Sequence, residues 1–524
     1  MGEVPSVVSG SVSRSLGREA QRNTILAAKV VADIVRTTLG PKGMDKLLVD
    51  SSGNLTVTND GATILQELAL DHPAAKLLVE VAQTQEREVG DGTTSVVVLA
   101  GALLERAGLL LDQRVHPTVI IAGYRKALTQ SLQQLPLLGR DVHSSAILKQ
   151  LAMTAMTGKG AEGMREELAD LLVRAVETVG TTQLDRSLVS FVCFSGSSVG
   201  GSSLLSGVVI DKGKVHQGMP SSVSEAKVLL LDIPLEFKSP ETQTSLSLTS
   251  PEQLERFVAS ETDYIRSLVD RIVASGATVV FCQKGIDDVA QYYLAKAGIF
   301  ACRRVSKSSM EHLSKATGGA IVSSIDDIPQ AVFGYAGLVE EVVHSGEQYV
   351  VVTKCKNPQI VTIVVRGGTE HIVAETERAL QDGLGDIVAA VSQGKIVAGG
   401  GAVEVALARH LRGYARSLSG REQMAVEQFA YALEVIPEAL AENAGLDPLD
   451  VLGELKRRHE HGSVSEGLNL LSGNIEDCFS AGVIEPMRVK EQALRSATEV
   501  ATMLLRIDDV LVCAPKPQQK EVLE

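Results

Sequence analysis

The chain is predicted to be a mixed α and β protein of several domains, and three observations carry that reading. At 524 residues it exceeds the roughly 250 to 300 residues at which a single hydrophobic core stops growing, so it should divide. Apolar residues recur at three- and four-residue spacing through the first 140 residues and again after residue 400, the mark of packed helices. Between about Gly180 and Gly368 the texture changes to short β-rich runs alternating with helical stretches, as in an α/β domain. The two helical ends are expected to fold together, with the middle inserted between them.

Taken in order, Ile25, Leu26, Val30, Val31, Ile34 and Val35 share one side of a helix from about Ser15 to Thr38, which Gly40-Pro41 stops. Two short β-like pieces around Gly53 lead into Thr56-Val57-Thr58, and Asn59-Asp60-Gly61 turns the chain into a helix over about 62–69. Helices follow over about 74–88 and, after Gly90-Asp91-Gly92-Thr93-Thr94, over 96–111. In the middle, Val228–Leu231, Ala277–Phe281 and Ile363–Val365 read as β-rich runs. Ser239 to Thr249 is poor in large apolar residues. Ser250-Pro251-Glu252-Gln253 then presents an N-cap serine, a proline at the first helical position and a glutamine at the capping-box position. A helix starting there has Leu254, Phe257, Val258, Tyr264, Ile265, Leu268, Val269, Ile272 and Val273 on a face that needs a partner. Beyond Gly399-Gly400-Gly401, helices over 404–410, 422–435 and 490–505 end in a β-like Val510-Leu511-Val512, and the polar 515–524 end is expected to fray.

Composition removes several functions. The chain is 44% hydrophobic and 22% charged, which suits an ordered globular protein. Aromatic residues make up 3% with no tryptophan, so Val, Leu, Ile and Ala must fill the core and stacking on bases is improbable. A net charge of -14 opposes attraction to nucleic acid phosphates or an anionic membrane surface, and neither is an expected partner. The six cysteines are scattered, with no C-x-x-C pair and no histidine at ligand spacing; they indicate no disulfide framework or zinc site and suit a reducing cytosol. Glu105 and Arg106 break the apolar run that follows Val96, and no charged segment precedes a long apolar stretch at the start, so a cytoplasmic protein is expected.

The common nucleotide motifs are absent. Gly158-Lys159 is followed by Gly160 and Gly394-Lys395 by Ile396, so there is no P-loop; the G-x-G-x-x-G at 158–163 follows a helical run, where a dinucleotide fold needs a strand. What remains is a set of glycine turns abutting helices: Leu39-Gly40-Pro41, Asn59-Asp60-Gly61, Asp91-Gly92-Thr93-Thr94-Ser95 and Gly399-Gly400-Gly401. Singly, each is an ordinary turn. Together they suggest a phosphate cradle. The small residues after Asp91 let backbone N–H groups and the hydroxyls of Thr93, Thr94 and Ser95 converge on an anion at the positive end of a helix dipole. A carboxylate at its edge would repel phosphate unless it holds a divalent cation, which assigns Asp91 to the metal.

The blocks Thr38–Lys46, Thr58–Leu65 and Val89–Ser95, in that order, resemble the group II chaperonins, the family of the archaeal thermosome and the eukaryotic cytosolic chaperonin. The resemblance continues through Thr157-Gly158-Lys159-Gly160, 280–298, 366–371, 397–404, 440–451 and 483–510 and covers roughly residues 18–513. It implies a chaperonin fold. A mainly helical equatorial ATPase domain would take 1–142 and 395–524, a small intermediate hinge domain 143–209 and 360–394, and an α/β apical substrate-binding domain 210–359, with a helical lid protrusion over about 239–272.

The resemblance also implies ATP, ADP and Mg2+ as ligands, an ATP hydrolase activity coupled to protein folding, a stacked double ring of identical or paralogous subunits, and non-native proteins as clients. Residue by residue, it places Thr38, Leu39, Gly40 and Pro41 at the nucleotide, Asp91 at magnesium, Gly92, Thr93, Thr94 and Ser95 at the phosphates, and Gly400 with Gly401 where backbone approaches nucleotide. Glu485 matches the ribose contact, and Leu468 and Asn469 the base. Asp382 matches the carboxylate that orients the attacking water, Asp60 its companion, and Lys159 the lysine that senses the terminal phosphate. The family usually flanks this aspartate with His and Ala, where this chain has Gln381 and Gly383, a more flexible neighbourhood that bears on the hydrolysis rate. The alternatives are a chaperonin-like scaffold without turnover and a small-molecule ATPase or kinase with a similar cradle.

Overall fold

The computed structural model describes residues 12–49, 53, 55–68, 70–142, 144–159, 162–180, 184–196, 199–237, 251–325, 328–344, 346–355 and 360–513. Gly160, the 239–250 part of the expected lid and the polar 515–524 end lie outside the described residues. The chain forms two compact units, one from both ends (1–165 and 379–524) and one from the middle (166–378). Of the span expected as an intermediate domain, 143–165 and 379–394 therefore fall with the ends. Two contacts account for this: Thr154 donates its hydroxyl to the Gly482 carbonyl (3.1 Å), and Ala389 packs with Val89 and Val489.

In the first unit the chain ends are joined directly, because strand Val12–Leu16 pairs antiparallel with Asp509–Cys513 and Arg14 grips Asp509 at 2.7 Å. The β-like pieces around Gly53 form the hairpin Lys46–Val49 and Leu55–Thr58. Helix Thr93–Asp112 is the core, buried from Val96 through Leu104. It is long and apolar enough to cross a membrane, yet 67% of its apolar window is buried inside the fold, as for the central helix of a packed bundle. In this bundle helices come close where glycines face their neighbours. A Cβ on Gly101 would lie 2.4 Å from that of Ala32 in helix Gly17–Arg36, and one on Gly123 equally close to Ala425. Buried Tyr124 meets Phe429 edge-on at 5.4 Å and donates its hydroxyl to the Leu103 carbonyl, which satisfies the one polar group it carries inside.

The middle unit is built on a mixed sheet whose strands run in the order Phe300–Cys302, Val279–Cys282, Ser222–Leu231, Gly334–His344, Glu347–Cys355 and Gly207–Ile210, with Ile321–Val322 also beside Ser222–Leu231. Helix Pro251–Ser275 begins at the proline. Ile265, Val269 and Ile272 bury its second half against the sheet, so the partner of that part of its face is its own unit. Tyr264 and Val273 stay partly exposed, and the side chains of Leu254, Phe257 and Val258 lie outside the description. Strand Val361–Gly367, between Val189–Ser195 and Ser203–Leu205, feeds helix Glu370–Gln393, which carries Asp382.

Candidate functional site

Every site residue named from the sequence lines one cavity of about 440 Å³ in the first unit, a size suited to a small-molecule ligand. The turn after helix Gly17–Arg36 forms one wall. Gly40 is left-handed (φ +82°) and a Cβ there would come 2.5 Å from Leu440 Cδ2, so only glycine fits. Asn443 holds the turn by donating its amide to the carbonyls of Arg36 (3.0 Å) and Leu39 (2.8 Å). Gly158, also left-handed, packs on Pro41, where a Cβ would lie 2.4 Å from Pro41 Cα. Asn59 donates to the Gly158 carbonyl at 3.0 Å. These contacts tie the 38–41, 59–60 and 157–159 segments together and bring Lys159 to the cavity.

The second wall is the start of the core helix. Gly92 is its N-cap in a left-handed conformation (φ +79°), and a glycine cap has no side chain with which to take the N–H groups of residues 93–95. They form an open anion cradle at the positive end of the helix. Buried Gln85 fixes the turn from behind through the carbonyls of Asp91 (2.9 Å) and Val489 (3.3 Å). Asp60 caps helix Gly61–Glu67 through Thr63 N (2.8 Å) and accepts the Thr93 hydroxyl at 3.1 Å with its other oxygen. The Thr93 hydroxyl expected to face an anion is thus engaged by Asp60, which leaves the backbone N–H groups with the hydroxyls of Thr94 and Ser95 as the cradle's donors.

The third wall brings the charges together. Lys159 Nζ forms an ion pair with Asp382 Oδ2, both largely buried. Burial raises the Asp382 carboxyl to about 7, with Asp91 and Asp60 adding to the push, and the Lys159 charge only partly offsets it. Lys159 is held above its usual range: burial alone would lower it, but Asp382, Asp91 and Asp60 more than compensate. Lys490, 8% exposed, bridges Glu404 (2.8 Å) and Glu485 (2.7 Å), so the glutamate expected at a ribose sits in a buried ion triad. Gly400 lies against the Leu468 backbone, and Asn469 turns its amide to Glu476 while accepting the Leu471 N–H.

Sequence reasoning missed Asp386. It lies one helical turn beyond Asp382, is 1% exposed, lines the cavity, and its Oδ1 has no hydrogen-bond partner among the described residues. Burial, followed by Asp91, Glu485 and Asp382, pushes its carboxyl well above the usual range. Its four-residue spacing from Asp382 was the available signal, but a helix acid beside other polar residues reads as solvated. Lys490 and Gln85 were missed because each also depends on a partner distant in sequence, Glu404 and Val489 respectively.

A helix start without a side-chain cap, flanked by acids and reached by a lysine, in a fold of two helical ends around an α/β insertion, is the arrangement of a chaperonin. The TCP-1/cpn60 chaperonin family model matches residues 31–515, and the chain belongs to that family. It is 52% identical to a thermosome subunit beta of Methanothermobacter thermautotrophicus over 99% of this chain and 96% of that one. With a thermosome subunit alpha of Archaeoglobus fulgidus it shares 49% over 98% and 95%. An open-state monomer of a group II chaperonin from Methanococcoides burtonii superposes with a TM-score of 0.61 at 43% identity, covering 80% of this chain and 100% of the other. The chain is a group II chaperonin subunit of the thermosome type, a protein-folding chaperone.

Proposed function

We propose that the subunit assembles with identical or paralogous copies into a cytoplasmic double ring, binds ATP with Mg2+, hydrolyses it to ADP and phosphate, and uses that cycle to enclose and release non-native proteins. One observation carries the reading: the open N–H groups of residues 93–95 face the same cavity as Asp60, Asp91 and the Lys159–Asp382 pair. The cradle suits the phosphates, Asp91 the cation, the 38–41 turn and Gly400-Gly401 the nucleotide's flank, Leu468 and Asn469 the base, and Glu485 the ribose. Bound Mg2+ would neutralise phosphate charge as the terminal group leaves.

The chain's own residues supply positioning. Lys159 is paired with Asp382; a terminal phosphate would draw the ammonium toward itself and leave the carboxylate to accept a hydrogen bond from the attacking water and so orient it, with Asp60 as its companion. The domain division that goes with this function is equatorial (1–142, 395–524), intermediate (143–209, 360–394) and apical (210–359), with a lid over about 239–272. The test is phosphate release from ATP by the purified protein, with and without EDTA, alongside negative-stain microscopy and aggregation of a denatured client. Magnesium-dependent release by a ring that suppresses aggregation is expected; a ring that binds no adenine nucleotide would refute the ATPase reading.

A further inference from the structure

Several of the cavity's acids have partners in the structure. Asp382 has Lys159, Asp60 has Thr63 and Thr93, and Glu485 has Lys490. Asp386 is 1% exposed with an oxygen that has no hydrogen-bond partner among the described residues, and among the acids it shares the cavity with is Asp91. Both side chains line the same space. A buried carboxyl oxygen without a partner is costly, and an ion or its bound water is one means of completing it.

We propose that Asp386 is a second acidic residue of the divalent-cation site, facing the ion together with Asp91, directly or through one of its coordinated waters. Magnesium fits this pair, because it keeps several waters and takes only one or two carboxylates plus substrate phosphates, without an all-protein cage. No group of three or more His, Cys, Asp or Glu among the described residues makes such a cage, so phosphate and water must supply the remaining positions. Asp386 would act by presenting an oxygen to the ion or to one of its waters, as a carboxylate behind a metal commonly does. The assignment rests on the proposed magnesium–nucleotide site, and its test separates the two.

The test uses the full-length assembly of the wild type, Asp386→Asn and Asp386→Val. Mn2+ binding is followed by electron paramagnetic resonance with and without ADP, the Mg2+ dependence of ATP turnover is measured, and thermal melts are recorded without metal. Both variants should bind Mn2+ about 10-fold more weakly and require about 10-fold more Mg2+ for half-maximal turnover, with the loss recovering as magnesium is raised. The metal-free melting temperature should rise, most in Asp386→Val, because an unsatisfied buried acid has been removed. Unchanged Mn2+ affinity and unchanged magnesium requirement would overturn the assignment. A fall in the metal-free melting temperature of Asp386→Asn would also overturn it, by showing that the carboxyl supports the fold. If the wild type bound Mn2+ through Asp386 yet hydrolysed no ATP, the ATPase reading alone would fall.

Discussion

The Lys159–Asp382 pair sets what a single residue can do in this site. Asp382→Ala should abolish turnover while leaving nucleotide affinity intact, because the cradle proposed for phosphate lies on the 93–95 helix start; rapid-quench turnover beside a fluorescent-nucleotide titration separates the two. In the proposed mechanism Asp382 must be ionised to orient the water, and burial holds its carboxyl near 7, so turnover should climb as pH rises through about 7 in the wild type. Stability should move the opposite way. A carboxyl raised in the folded state binds its proton more tightly there, so its contribution is fully present below the unfolded value near 4 and is lost as pH rises through about 7. Urea titrations from pH 4 to 8 should show a stability decline that Asp382→Asn flattens; an equal slope in both proteins would count against the shifted carboxyl.

At the scale of elements, the site is a set of helix starts brought together by glycines, and this is the part the sequence displayed most openly. A left-handed glycine beside a helix end is a local feature, so the turns at 40, 92 and 400–401 were legible from neighbouring residues alone. What faces those turns was not. Asn443 reaches back to residue 39, Lys490 to Glu404, and Asp386 acquires its meaning from Asp91, and no local pattern encodes such pairs. The glycines give a graded prediction for stability. Gly92→Ala should cost about 1–2 kcal/mol for its left-handed backbone, with further strain from a Cβ 2.8 Å from Val489 Cγ1. Gly158→Ala should be worse, since its Cβ would meet Pro41 backbone, which cannot swing aside, and nucleotide affinity should fall with it as Lys159 is displaced. Gly453→Ala, in the exposed interior of helix Pro448–Glu460 with open space around its Cβ, should stabilise by about 1 kcal/mol. Denaturant melts of the three would rank them, and equal effects would deny that the site's turns are sterically specified.

For the whole molecule, the change of texture near residues 180 and 368 announced an insertion, while the finer boundaries depend on packing that no composition shift marks. Each unit has its own hydrophobic core, one around helix Thr93–Asp112 and the other on the two faces of the mixed sheet. The cavity is lined wholly by residues of the first unit, with Lys159 shortly before one chain crossing at 165/166 and Asp382 shortly after the other at 378/379. Ligand binding stabilises what binds it, by about 2.7 kcal/mol at a ligand concentration near 100 Kd. Calorimetry of the full chain should therefore show a transition that moves upward with ATP and magnesium and a second that does not. Residues 166–378 expressed alone should unfold cooperatively at the temperature of the unmoved transition, with or without nucleotide. If the fragment failed to fold, or if nucleotide carried both transitions upward together, the middle unit would not be the independent insertion that its separate core describes.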